Sequence, residues 1–162
     1  MELFYPEMRK QTIYIDTSVI GGCFDDEFKY WSDKLILDFK NGTYIPVLSE
    51  ITAGEINDAP LEVRKKYQEI KEYSSIYLEI NNPALELAGQ YQKRNALTKK
   101  FFTDGLHIAV ATLYNNDVLV SWNFKHIVHF YKIRLFNAIN LEMGYKPIEI
   151  FSPGEVATNE DD

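Results

Sequence analysis

The chain has 162 residues, the size of one ordinary domain, so two independent cores would be cramped. Its 46 % hydrophobic, 14 % aromatic and 25 % charged residues exclude a disordered chain or a fibre. With 17 Lys+Arg against 24 Asp+Glu the net charge is −7, which taken alone argues against a protein that grips nucleic acid by neutralising many phosphates.

No apolar run approaches the ~20 residues of a membrane helix, and the opening Met-Glu-Leu-Phe-Tyr-Pro-Glu lacks the basic head and apolar stretch of a secretory signal. A cytoplasmic protein without a membrane partner is expected. The single cysteine, Cys23, excludes an internal disulfide and a cysteine-based structural metal site, and reads as a small packed residue.

In chain order, Thr12-Ile-Tyr-Ile-Asp16 is β-branched and aromatic and predicts the first strand. Leu35, Ile36 and Phe39 recur at helical spacing over about 30–40, and Asn41-Gly42 closes that helix. Tyr44-Ile-Pro-Val-Leu48 predicts a second strand, with Ser49 as N-cap of a helix through Ile51, Glu55 and Ile56. A charged surface helix follows Pro60. Ile76-Tyr-Leu-Glu-Ile80 alternates as a strand, and Pro83 sits where a helix to about Arg94 can begin.

Thr103 is placed to cap an apolar, central helix from Asp104 to Tyr114. Asp117-Val-Leu-Val-Ser121 predicts a buried strand, a long helix covers roughly 124–143 with Gly144 at its C-terminal cap, and Pro147-Ile-Glu-Ile-Phe151 supplies the last strand. Strands alternating with helices predict an α/β fold with a parallel sheet covered on both faces. One domain over 1–156 is expected, followed by a frayed acidic tail over 157–162.

Ligands of such sheets bind outside the carboxyl ends of the strands, so the polar residues that end apolar strands are the candidates. These are Asp16, the pair Ser49-Glu50, and Ser121-Trp122-Asn123, with Glu55 and Asp104 nearby in sequence. Asp104 alone would complement a helix dipole, and Glu55 alone would be a solvated helix residue. An acid directly after a buried strand is harder to dismiss, which favours Asp16.

The set resembles a known pattern. Ile13-Tyr-Ile-Asp16-Thr17-Ser18 is similar to the opening of PIN-domain ribonucleases, the family that includes the VapC-like toxins. Val47-Leu-Ser49 followed by Glu55 resembles that family's second motif, and Phe102-Thr-Asp104-Gly105-Leu-His107-Ile-Ala its third, with Gly105 where alanine is usual. Ser121-Trp122-Asn123-Phe124-Lys125-His126-Ile127 lines up with the fourth, where Asn123 replaces an acid, as in one subgroup of the family. The likeness spans about residues 12–155.

The resemblance implies a PIN-like three-layer α/β/α fold with about five parallel strands, and a divalent-metal-dependent ribonuclease of the kind that serves as the toxin of a toxin–antitoxin pair. Asp16, Glu55, Asp104 and Asn123 would be catalytic, with Asp16, Glu55 and Asp104 as ligands of Mg²⁺ or Mn²⁺. Crowded carboxylates stay ionised together when a hard cation lies between them, and no cysteine or paired-histidine set favours zinc. Thr17, Ser18, Ser49 and Ser121 would supply supporting hydrogen bonds; Lys99, Lys100, Lys125 and His126 flank the predicted mouth as RNA contacts.

With Asn123, three carboxylates stand where four would, so one tightly held metal is expected, a second arriving with RNA. His107 reads as a hydrogen-bonded core residue. Trp122 either packs beneath the site or stacks a base, packing being favoured. The implied partners are RNA, a small antitoxin and a second copy of the chain in a homodimer. The alternative is a degenerate PIN domain that binds RNA or protein without cutting. A phosphoryl-transfer enzyme with Asp16 as nucleophile is disfavoured because position 18 is Ser.

Overall fold

The computed structural model describes residues 9–159. Five strands, β1 (Thr12–Ile15), β2 (Ile45–Ser49), β3 (Ile76–Leu78), β4 (Val118–Val120) and β5 (Glu149–Phe151), form one sheet in the order β3-β2-β1-β4-β5. Every pairing is parallel, with Tyr14 opposite both Val47 and Leu119. The chain builds outward from β1 through β2 to β3, then crosses back to β4 and β5. The direction of winding therefore reverses between β1 and β4, and a crevice opens at their carboxyl ends.

The strand alternation sorts side chains into two cores. Tyr14, Val47, Leu119 and Ile150 face one side, against α5 (Asn82–Lys93), α6 (Phe102–Leu113) and α7 (Phe130–Glu142). Ile13, Ile15, Leu48 and Val120 face the other, against α1 (Thr17–Gly22), α2 (Lys29–Lys40) and α4 (Leu61–Lys71). Two covered faces explain why the strands read as continuous apolar runs. The remaining helices are α3 (Glu50–Ile56) and α8 (Pro153–Val156). Residues 105–112 of α6 are all buried, as expected of a central helix.

Three expectations are corrected. Thr103 caps nothing: a 3₁₀ turn over Lys99–Phe101 already leads the chain into α6, which begins at Phe102. The long helix starts at Phe130, not 124, because the Asn123 carbonyl accepts the Ile127 and Val128 amides and closes a separate turn. The helix after Pro60 is amphipathic and not wholly a surface element, burying Val63, Tyr67 and Ile70. Gly144 does follow α7 at φ +89°, and the Gly144 and Tyr145 amides bond back to the carbonyls of Leu141 and Asn140.

Of the expected tail, Ala157 packs against a core and Thr158 bonds to Asp38 through its amide at 2.9 Å and its hydroxyl. Residues 160–162 lie outside the described residues. Among the described residues, no helix is long and apolar enough to cross a membrane.

Candidate active site

Asp16 follows β1 at the point where the winding reverses. It is buried, and each of its oxygens accepts a serine hydroxyl: Ser18 Oγ to Oδ1 and Ser121 Oγ to Oδ2, both at 2.6 Å. Ser18 sits in the first turn of α1 and Ser121 directly after β4, so the two chain segments flanking the crevice meet on one carboxylate. Burial pushes that carboxyl up, with the Glu55 charge adding to it, against His107 and the two serines.

Glu55 comes from α3, whose N-cap is Ser49 as expected. Its Oε1 lies 2.7 Å from His107 Nε2 and accepts the Thr17 hydroxyl at 3.0 Å. Burial acts to raise its carboxyl, but the His107 bond and charge and the Thr17 hydroxyl outweigh that and hold it below the ordinary carboxylate range. His107 in turn places Nδ1 2.6 Å from the Tyr14 hydroxyl, which lies 2.7 Å from Ser49 Oγ. Burial raises Tyr14, so it stays a protonated phenol. An ionised Glu55 can only accept, so His107 Nε2 carries the proton of that contact. His107 is thus the hydrogen-bonded core residue expected, and also what holds Glu55.

Asp104 stands half-buried in the first turn of α6. Burial pushes its carboxyl up; His107 and His126 pull it down, and the charges of Asp16 and Glu55 push it up again. Each of the three acids therefore feels the other two or their shared histidine, and they occupy one region at the carboxyl edge of the sheet. Gly105 lies against α5 and the loop after it: a Cβ there would stand 3.6 Å from Tyr91 Cδ2 and 3.2 Å from Leu97 Cδ1.

Asn123 has a task within the chain. Its Oδ1 accepts the His126 amide at 2.9 Å, so it caps the turn after β4. Phe101 stacks on His126 with ring centroids 3.7 Å apart, and Lys100 lies over the Phe101 ring. Burial, followed by Lys132, Lys125 and Lys100, depresses His126 against the pull of Asp104. Lys100, Lys125 and His126 are thus brought together beside Asp104. Lys99 is exposed on the 3₁₀ turn with no partner in that group. Lys132 and Phe101 were not among the expected contacts; neither belongs to a recognisable motif.

The donors at the site are hard oxygens, which suit Mg²⁺ or Mn²⁺, ions commonly held by one or two carboxylates plus waters. Among the described residues, no three Asp, Glu, His or Cys side chains form a ready cage. Asp104, and Asp16 through the lone pairs that its two serine hydroxyls leave, can serve the sparser mode; Glu55 keeps its far oxygen, its near one being taken by His107 and Thr17. Cys23 is buried, and burial with the neighbouring Asp33 carboxylate pushes its thiol up to about 12, so it is inert.

An all-parallel sheet between helical layers, with acids at the carboxyl edge of its switch point, defines a three-layer α/β/α protein. More particularly, the fold is the PIN-like fold of VapC-type toxin structures. The VapBC2 complex of Rickettsia felis, bound to a DNA fragment from its promoter, superposes with a TM-score of 0.54 at 12% identity over 88% of this chain and 98% of that one. VapC20 of Mycobacterium tuberculosis, a sarcin-ricin loop cleaving toxin, gives 0.53 at 14% identity over 85% and 98%. FitAcB of Neisseria gonorrhoeae gives 0.54 at 14% identity over 89% and 99%. A scan against protein-family models finds no match, and a search of curated proteins finds none either.

Proposed function

We propose that the protein is a divalent-metal-dependent ribonuclease and the toxin of a toxin–antitoxin pair. The observation that supports this best is the meeting of Asp16, Glu55 and Asp104 at the switch-point crevice of a PIN-like fold. A sarcin-ricin loop cleaving toxin and VapBC2 bound to DNA from its own promoter are among the solved structures that share that fold.

Asp16 and Asp104 would hold Mg²⁺ or Mn²⁺, which when bound supplies charge neutralisation of a phosphodiester and a more acidic water. The chain's own residues do the remainder. Ser18 and Ser121 fix the Asp16 carboxylate from both sides, so its oxygens point without rotational search. Glu55, held ionised by His107 and Thr17, can accept a proton from a water at the scissile phosphate. Lys100, Lys125 and His126 offer local positive charge for the RNA backbone, which a chain of net charge −7 needs at the point of contact. The partner that silences such a nuclease would be a small antitoxin.

A metal titration of single-stranded RNA cleavage tests this with wild type, Asp16→Asn and Asp104→Asn. Cleavage that requires Mg²⁺ or Mn²⁺ and is lost in both variants is expected. Robust cleavage by both variants would sink the assignment. A second reading is a degenerate PIN domain that binds without cutting. It is favoured by Asn123, whose side-chain oxygen accepts the His126 amide and carries no charge to hold a cation. RNA binding with no divalent-ion heat in calorimetry would support it.

A further inference from the structure

Beside Ser18 a hollow of about 400 Å³ opens onto the crevice, lined by Ser18, Gly21, Asp25, Phe28, Trp122 and Asn123. Its volume is in the range of small-ligand sites. It shares Ser18 and Asn123 with the acid site, so whatever fills it lies next to anything held at Asp16.

The aromatic wall is built to stay in place. Trp122 stacks on Phe28 with ring centroids 4.4 Å apart and planes 22° from parallel. Its Nε1–H donates to Ser32 Oγ at 2.8 Å, and its backbone amide donates to Ser18 Oγ at 2.9 Å. Gly22 permits this approach, since a Cβ there would stand 2.7 Å from Trp122 Nε1. Gly21 is different: a Cβ there would meet nothing within 4 Å. One glycine lets the indole in; its neighbour leaves the hollow open.

The polar groups at the rim are partly spent. Asp25 accepts the Glu27 amide on Oδ1, and Asn123 accepts the His126 amide on its oxygen. That leaves a carboxylate oxygen as acceptor and a side-chain amide as donor. A flat aromatic ligand with donors and acceptors along one edge matches such a wall and rim, and unpaired RNA bases are recognised by stacking together with edge hydrogen bonds.

We propose that this hollow is a nucleobase pocket. It takes one unpaired base of the RNA whose adjoining phosphate lies at Asp16, so it rests on the ribonuclease reading. Trp122 then both packs and presents a wall to a base.

The test uses the full chain and two readouts. Nucleoside 5′-monophosphates are titrated while the Trp122 indole N–H is followed by ¹H–¹⁵N NMR, with Trp31→Phe serving to assign the two indoles. A saturable shift is expected with the nucleotides and none with ribose 5-phosphate. Gly21→Leu, which fills the hollow, should abolish it, and Gly89→Leu, at another open helical glycine, should leave it. In cleavage assays Gly21→Leu should raise KM for a single-stranded oligonucleotide about tenfold, the scale of one lost base stack, with little change in kcat. No Trp122 response, an equal response to ribose 5-phosphate, or an unchanged response and KM in Gly21→Leu overturns the pocket. Failure of the wild type to cleave RNA counts against the ribonuclease reading alone, because the titration reads the pocket without cleavage.

Discussion

His107 Nε2 stands 2.7 Å from Glu55 Oε1, and this contact ties the third motif of the chain to the second. The histidine is buried and the glutamate two-fifths exposed, so the inner partner is fixed and the outer one hangs from it. Behind them Tyr14 and Ser49 continue the chain of hydrogen bonds to the top of β1 and β2. His107→Ala would leave a cavity and take one of its two partners from the Tyr14 hydroxyl, at a cost of about 2–4 kcal/mol. Glu55→Gln keeps an acceptor for Nε2–H and should cost no more than about 1 kcal/mol. Urea unfolding of the two variants checks the order; an equal loss would mean that the histidine is not held from the Tyr14 side.

Asp16 is the more strained acid. A carboxyl raised above its unfolded value by burial contributes most to stability at low pH, and that contribution is lost as pH climbs from the unfolded value to the folded one. Ionised Asp16 therefore costs stability at neutral pH, and Asp16→Asn should raise the metal-free melting temperature at pH 7. The same change should remove the response to metal. A ligand at ten times its Kd adds about 1.4 kcal/mol, roughly 3–5 °C for a chain of this length. Calorimetric scans with and without Mg²⁺ check both halves. An equal Mg²⁺ shift in wild type and Asp16→Asn would place the ion elsewhere.

The strands, the Ser49 cap and the acids at strand ends were legible because apolar runs and the residues that end them carry a direct signal. What escaped depends on contacts distant in sequence. Helix α1 contains Gly21 and Gly22, which weaken any helical pattern, and its preceding Asp16 does not cap it because Ser18 and Ser121 take both carboxylate oxygens. The turn at Asn123 hides inside an apolar, helix-compatible stretch; only the capture of the His126, Ile127 and Val128 amides reveals it. The pairing of Glu55 with His107 crosses 52 positions and has no local signature.

Those two glycines should respond oppositely to alanine. At Gly22 a Cβ would sit 2.5 Å from Ser32 Oγ and 2.7 Å from Trp122 Nε1, displacing the hydrogen bond that locks the indole. Overpacking of this kind costs about 1–3 kcal/mol. At Gly21 the space is open, and replacing a helical glycine gains about 0.5–1 kcal/mol. Thermal melts should move down for Gly22→Ala and up for Gly21→Ala, and Trp122 fluorescence should change only in the former. A fall in both would mean that α1 tolerates no side chain on that face.

At the opposite end of the sheet Asp117 ties β1 to the start of β4. Its Oδ2 accepts the Thr12 amide at 2.8 Å and the Thr12 hydroxyl at 3.1 Å, while Oδ1 takes Arg9 Nη2 at 2.7 Å. Burial acts to raise the carboxyl, but the Thr12 bonds and then Arg9 hold it below the ordinary range. The arginine side chain is 72% exposed, so its share is small and the Thr12 bonds carry the effect. A depressed carboxyl contributes stability above its unfolded pKa of about 3.9, and that contribution is lost as pH falls through the folded value. Asp117→Asn removes an acceptor for a backbone amide and should cost about 1–2 kcal/mol at pH 7. As pH falls through the depressed folded value the wild-type carboxyl is itself protonated, and the gap between the two proteins should close. Urea midpoints followed from pH 7 down into the acid range measure this; a gap that stays constant throughout would show that the hydrogen-bond geometry matters and the ionisation does not.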